Sequence, residues 1–228
     1  MTTSPHRPPL RVVVLISGRG SNLKAIIDYP LQQAASFVVV AVISNRVAAP
    51  GLQLAQTHQI PTQILDHQHY TSRAAYDKAL AQCIDQYQPD VVVLAGFMRL
   101  LTPAFVDHYQ GRLINIHPSL LPALRGLNTH QRALDEGLKE HGASVHFVTA
   151  ELDSGPVIAQ AKTAISDLDN AESLTQRVLT LEHSLYPTII EWIAQGRVIL
   201  HDNAVYLDGA RLEHPVLLAP PLNQASHA

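Results

Sequence analysis

One cysteine, Cys83, stands among 228 residues. A lone thiol excludes an internal disulfide and any thiolate-bound zinc cluster, and it suits a reducing compartment, so the sequence predicts a cytoplasmic protein. Charge is scarce as well, at 15% of residues, where an average soluble domain carries roughly 25%. The 16 Lys and Arg against 19 Asp and Glu leave a net charge of -3, which gives no electrostatic footprint for nucleic acid or for an anionic membrane. Long apolar runs are missing too. The opening MTTSPHRPPLRVVVLIS holds about six apolar residues before Ser17 and Gly18, too few for a signal-peptide core, and nothing elsewhere approaches the roughly 18 of a membrane helix. What is plentiful is apolar: 46% hydrophobic residues exclude intrinsic disorder, and the length, set against roughly 150 residues per domain, predicts one sizeable domain. Residues 1–10 and 213–228, rich in Pro, Ala, Ser and His, read as flexible tails on a domain spanning 11–212. Small-molecule or protein partners remain, and composition leaves monomer and homodimer both open.

Val-rich runs without alternation, at 11–16, 37–43 and 91–95, suit strands buried on both faces of a parallel sheet. Helical patterns lie between them at about 21–29, 50–57 and 72–87, with a short strand at 62–65. The alternation predicts a doubly wound, mostly parallel α/β fold with a Rossmann-like amino-terminal half. Such sheets bind ligands beyond the carboxyl ends of their strands. The second half repeats the theme less regularly: strands at about 112–117, 143–149 and 156–162, a long helix at about 171–195, and a closing hairpin at Asp208-Gly209.

The first strand runs into Ser17-Gly18-Arg19-Gly20-Ser21-Asn22 directly ahead of a helix, where backbone N–H groups and the helix dipole can hold an anion. A dinucleotide fingerprint needs a third glycine at the position of Leu23 and an acid at the end of the second strand, where Ser44-Asn45-Arg46 stands instead. A phosphate monoester is the natural guest, with Gly20 allowing close approach and Ser21 and Asn22 adding side-chain hydrogen bonds. The competing account is a tight strand-to-helix turn capped by Ser21.

Within LINIHPSLLP, Asn115 and His117 are two residues apart on a strand, so both side chains project from one face at the carboxyl edge of the sheet. Pro118 ends the strand. A turn-rich segment after a later strand, ELDSGP, supplies an acid, Asp153, within reach of His117. Any one of the three is most simply a hydrogen-bonded residue near the core; only jointly do they carry functional force.

These segments resemble phosphoribosylglycinamide formyltransferase, the folate-dependent family of purine synthesis. The resemblance is carried by VVLISGRGSNL at 13–23, VVVLAGFMRLL at 91–101, GRLINIHPSLLP at 111–122, HGASVHFVTAELDSGPVI at 141–158 and EHSLYP at 182–187, and extends over about 11–212. HPSLLP and the later Asp-x-Gly-Pro are shared with methionyl-tRNA formyltransferase and formyltetrahydrofolate hydrolase, while the SGxGSN loop narrows the choice. The resemblance implies that 10-formyltetrahydrofolate donates a formyl group to the amine of glycinamide ribonucleotide, with no metal. It makes Asn115 and His117 the oxyanion stabilisers and Asp153 the group that raises the His117 pKa above its ordinary value of about 6.5. It also places Gly20, Ser21 and Asn22 on the substrate phosphate and Glu182 near the ribose or phosphate. Arg73, Met98, Arg99, Leu100, Leu101 and Asn115 fall on the folate side.

Three positions depart from the family pattern: Leu179 where a glutamine is common, Ala123-Leu124-Arg125-Gly126 where an aromatic-Pro-Gly is common, and Ser154 in place of a glycine. The 13 histidines, including the pair His67 and His69, lack a third ligand at a recognisable spacing and read as solvated or structural. Cys83 reads as a small core residue, Trp192 as a packing anchor and His146 as a strand residue beside the site. Two alternatives stay open: a hydrolase or a transferase to another amine, since the same triad activates the formyl donor, and a nucleotide-binding module without chemistry.

Overall fold

The computed structural model describes residues 8–219. β1 (Leu10–Ile16) leads into α1 (Ser21–Gln32), β2 (Phe37–Ser44), α2 (Pro50–Thr57), β3 (Thr62–Ile64), α3 (Arg73–Asp85), β4 (Val91–Leu94) and α4 (Pro103–His108). There follow β5 (Leu113–His117), α5 (Thr129–Asp135), β6 (Glu140–Phe147), β7 (Val157–Ala164) and α6 (Ala171–Ala194), then β8 (Val198–His201), β9 (Ala204–Leu207), β10 (Ala210–Arg211) and β11 (Val216–Leu218). The main sheet has the order β11-β7-β6-β5-β4-β1-β2-β3. Only β6 runs against its neighbours, pairing antiparallel with both β5 and β7.

The unbroken apolar runs have a direct cause. On β1, Val12, Val14 and Ile16 face a core shared with α1, α2 and α6, while Val13 and Leu15 face Tyr76, Leu80 and Ile84 of α3. Each strand face is covered by helices, so neither can be polar. From β1 the chain winds outward through β2 and β3, then returns to β4 on the other side of β1. The reversal between β1 and β4 is where loops diverge and a crevice opens at the carboxyl ends of the strands. Tyr186 of α6 fixes the layer beneath it: its hydroxyl, fully buried, lies 2.9 Å from the Leu94 carbonyl oxygen and 3.2 Å from that of Ile114.

The doubly wound, mostly parallel architecture agrees with the expectation from sequence; its edges need correction. The ordered sheet runs past residue 212, because Val216–Leu218 pairs in parallel with β7, and Leu10 of the expected amino-terminal tail belongs to β1. Residues 1–7 and 220–228 of the expected tails lie outside the described residues. α1 passes the expected stop and includes Pro30, which falls in its last turn. The Asp208-Gly209 hairpin is present and belongs to a separate sheet of order β10-β9-β8. Cys83 is half-buried, and Trp192 packs on the core with the Arg197 guanidinium 5.0 Å above its ring. Among the described residues no helix is long and apolar enough to cross a membrane.

Candidate active site

β5 carries Asn115 and His117 to the crevice, and β6 lies beside it with His146 opposite Asn115. The loop after β6 starts at the far end of β5, where Val148 N–H donates to the Leu113 carbonyl. It then doubles back over the sheet and delivers Asp153 to His117, with Asp153 Oδ2 3.4 Å from His117 Nδ1 and both side chains buried. Two backbone features enforce the return. Asp153 sits at φ 48°, in the left-handed region, and Gly155 packs so closely on β6 that a Cβ there would lie 1.8 Å from the Phe147 carbonyl oxygen. Only glycine fits that contact.

Main-chain partners orient the three polar side chains. Asp153 Oδ2 accepts the Gly126 N–H at 2.9 Å. His117 Nε2 lies 3.0 Å from the Leu124 carbonyl oxygen, which can only accept, so this nitrogen bears a proton and Nδ1 is the one turned to the carboxylate. His146 Nδ1 lies 2.9 Å from the Phe147 carbonyl and therefore also carries a proton. Burial lowers the His146 pKa despite that hydrogen bond and the nearby Asp153, so its ring is neutral and Nε2 is an acceptor. Asn115 Nδ2 donates to it at 3.2 Å. That bond fixes which end of the Asn115 amide carries nitrogen and leaves its second N–H for another acceptor. Sequence reasoning placed His146 beside the site; its role as the acceptor that aims Asn115 emerges only from the pairing of β5 with β6.

At the other end of the crevice, Gly20 occupies the cap position of α1 at φ 78°, and no side chain caps the helix. Ser21 is thus the first helical residue and not the cap that the competing account required. A Cβ on Gly20 would lie 2.9 Å from Gly51 Cα, so the turn is closed against α2. Asn22 is turned inward: its Nδ2 donates to Glu182 Oε2 at 2.6 Å, and its Oδ1 is buried without a partner. The Asn22 side-chain nitrogen is thus committed to Glu182, and its main-chain N–H lies at the helix start. Glu182, on α6, is 5% exposed, which excludes a surface ion pair, and burial pushes its carboxyl up to about 7 against the opposing hydrogen bond from Asn22.

The loop after β4 presents Met98 and Leu100, both exposed, with Arg99 stacked over the Tyr76 ring at 4.6 Å. Leu127 and Leu152, from the loops that flank Asp153, are exposed too, so large apolar side chains stand on the loops around His117 from several elements. Arg73 is the first residue of α3 and is exposed.

The Formyl transferase family matches residues 10–190. The chain is 55% identical over 203 residues to the phosphoribosylglycinamide formyltransferase of Escherichia coli K12, covering 89% of this chain and 96% of that protein. It is 41% identical to the enzyme of the same name from Haemophilus influenzae, at 89% and 95% coverage. Among solved structures, the phosphoribosylglycinamide formyltransferase of Coxiella burnetii superposes with a TM-score of 0.89 at 51% identity, covering 92% of this chain and 99% of that one. The chain belongs to the phosphoribosylglycinamide formyltransferase family. It is an enzyme of the formyl-group transferase class, as its motifs led one to expect.

The three departures from the formyltransferase pattern fall at different depths. Leu179 is half-buried on α6, three residues before Glu182. Arg125 is exposed and pairs with Glu151 at 3.1 Å across the two loops that hold Asp153, while Ser154 is half-buried in the turn. Of the histidines, His67 Nδ1 meets the Asn45 carbonyl at 3.1 Å, and His141 Nε2 lies 3.1 Å from His130 Nδ1. Burial lowers both members of that second pair, His141 to about 4. No group of three or more potential metal ligands converges among the described residues.

Proposed function

We propose that the enzyme transfers the formyl group of 10-formyltetrahydrofolate to the amine of glycinamide ribonucleotide by direct attack, and that Asn115, His117 and Asp153 carry the chemistry. The observation that supports this most is the convergence of a buried carboxylate, an imidazole and an amide whose hydrogen-bond polarity is already set, at the carboxyl end of β5, the strand next to β4 and its switch with β1.

The substrate brings its own nucleophile, so no serine or cysteine is needed. As the amine attacks, negative charge builds on the formyl oxygen. The free N–H of Asn115 and the protonated ring of His117 are the donors for it, and fixed donors in a water-poor site stabilise such charge strongly. For His117 this means that Nε2 exchanges the Leu124 carbonyl for the formyl oxygen while Nδ1 stays on Asp153. The carboxylate balances the charge of the imidazolium. The amine gives up one proton and the departing folate nitrogen gains one, so the transfer is proton-neutral.

The phosphate of the ribonucleotide is assigned to the N–H groups at the start of α1, from Gly20 to Asn22, with Glu182 behind them. The aromatic body of the folate is assigned to the apolar rim of Met98, Leu100 and Leu101 beside Arg99, and its anionic glutamate to Arg73. Cytoplasmic location fits a chain with one cysteine. The deciding experiment is an assay of purified protein with glycinamide ribonucleotide and 10-formyltetrahydrofolate, run with and without the amine. Formyl transfer that requires the amine supports the proposal; deformylation at equal rate without it would make the protein a hydrolase.

A further inference from the structure

We infer that Ser17 is a positioning residue that couples the two substrate sites, its buried hydroxyl tying the phosphate loop to the donor loop. The inference rests on the assignment above of Gly20–Asn22 to phosphate and of Met98–Leu101 to folate. Ser17 directly follows Ile16, the last residue of β1, and is covalently the first residue of the phosphate loop. It is 4% exposed. Its main-chain N–H donates to the Gly96 carbonyl at 3.1 Å, and its Oγ accepts the Met98 N–H at 2.8 Å. The single hydroxyl proton goes to Asn45 Oδ1 at 2.6 Å, since an amide oxygen can only accept. With the proton committed there, a lone pair is what Met98 meets, and the hydroxyl has no rotational freedom left.

Phe97 is buried in the α3-side core and Arg99 stacks on Tyr76, but the donor loop has few other hydrogen bonds. Ala95 N–H bonds to the Leu15 carbonyl at the end of the strand pairing, and at the far end Thr102 N–H donates to Asp77 Oδ2 at 2.6 Å. Between these anchors, Ser17 makes both hydrogen bonds that hold the first half of the loop, where Gly96 sits at φ 72° and Met98 is 63% exposed. A phosphate held at the start of α1 restrains the 17–22 segment. Through its two bonds Ser17 passes that restraint to Gly96 and Met98, so less freedom is lost when the folate arrives. Linkage makes the effect reciprocal: the folate must tighten the phosphoribosyl substrate by the same factor.

Isothermal calorimetry on the purified enzyme tests this with glycinamide ribonucleotide and with tetrahydrofolate, which has no formyl group to transfer, each titrated alone and in the presence of the other. In the wild type each compound binds about fivefold more tightly when the other is bound, a modest coupling for two linked sites. Ser17→Ala brings the ratio to one, and Asn45→Ala, which removes the acceptor that aims the hydroxyl, lowers it in the same direction. Asp77→Asn loosens the other anchor of the loop; it changes the tetrahydrofolate Kd while the ratio stays at the wild-type value, which a merely structural role for Ser17 would not predict. A wild-type ratio of one, or a wild-type ratio retained in the Ser17 and Asn45 variants, overturns the coupling alone. Wild-type protein that binds neither compound overturns the site assignment and the coupling with it. Should Ser17→Ala fail to fold, Asn45→Ala decides by itself: a lowered ratio supports the coupling and an unchanged one overturns it.

Discussion

At the Gly20–Asn22 end of the crevice the proposed phosphate site is made of main-chain N–H groups at an uncapped helix start, whereas the proposed catalytic groups at the β5–β6 end are side chains. Asn115, His117 and Asp153 are each aimed by a partner: His146 Nε2, the Leu124 carbonyl and the Gly126 N–H. The two ends are therefore vulnerable in opposite ways. Removing side-chain atoms damages the β5–β6 end and leaves the backbone end nearly intact, while adding a Cβ does the reverse. A phosphate is a fixed charge that binding alone must hold, and a helix start suits it. An oxyanion appears only during reaction, and donors that can exchange partners suit that.

The sharpest way to break the contrast is to truncate the side-chain end. Asn115→Ala and His117→Ala should each lower kcat by about a hundredfold or more with the fold intact, since each removes a donor to one developing charge. The double variant should lose less than the product, because both donors act on the same atom. Steady-state kinetics with circular dichroism as a folding control decides it, and near-normal turnover in either single variant would reject the assignment.

Glu182 sits behind the backbone end as a carboxyl whose burial raises it to about 7 from an ordinary 4.5. With the folded pKa above the unfolded one, the folded state holds the proton more tightly. The contribution of this proton to stability is fully present below the unfolded value and is lost as pH rises through the folded one, a change on the order of 3 kcal/mol. Glu182→Gln keeps the shape and the acceptor for Asn22 but never ionises. Urea unfolding should find the variant more stable than wild type at pH 8 and the gap closing towards pH 4; a gap that does not change with pH removes the titration from the account.

Gly20→Val tests the other half of the contrast. The residue is at φ 78° and its Cβ would press on Gly51 Cα at 2.9 Å, so the turn must shift. Phosphoribosyl affinity should fall by about tenfold, the cost of a left-handed conformation for a branched residue being on the order of 1–2 kcal/mol. Tetrahydrofolate titrated alone should be nearly unaffected. Equal losses for both compounds would mean that the loop is purely structural.

Much of this contrast was legible in the residues. The apolar runs forecast the sheet because helices on both faces leave no polar side to a strand, and the Asn-x-His spacing forecast a shared face because strand geometry has a period of two. What escaped depends on partners distant in sequence. Asn22 turns away from the helix start because Glu182, 160 residues on, accepts its amide. His146 gains its role from lying opposite Asn115. Ser17 looked like part of a glycine-rich turn, and only the fold brings Asn45 and Met98 to it. α4 and α5, at 6 and 7 residues, are too short to show a helical period, and β11 lay hidden in a Pro- and Ala-rich end whose Val216-Leu217-Leu218 is its one apolar signal.

The smallest expected effect concerns Arg125, which lies close to the chemistry yet should matter little. Its guanidinium meets Glu151 at 3.1 Å, with the two side chains 41% and 74% exposed, and an ion pair so open to solvent contributes within about 1 kcal/mol. The two loops are joined without the Arg125 side chain by Gly126 N–H donating to Asp153, and the Arg125 carbonyl accepts from Arg132 Nη1 of α5 at 2.7 Å. Both bonds use main-chain atoms of residues 125 and 126 and survive truncation. Arg125→Ala should therefore leave kcat within about twofold of wild type and lower stability by less than about 1 kcal/mol. Its effect should shrink further at high salt, as screening weakens what remains of the pair. A tenfold loss of kcat would show that the charge acts on the bound substrates or on Asp153 itself, and the side-chain end of the crevice would then extend one residue beyond the buried groups.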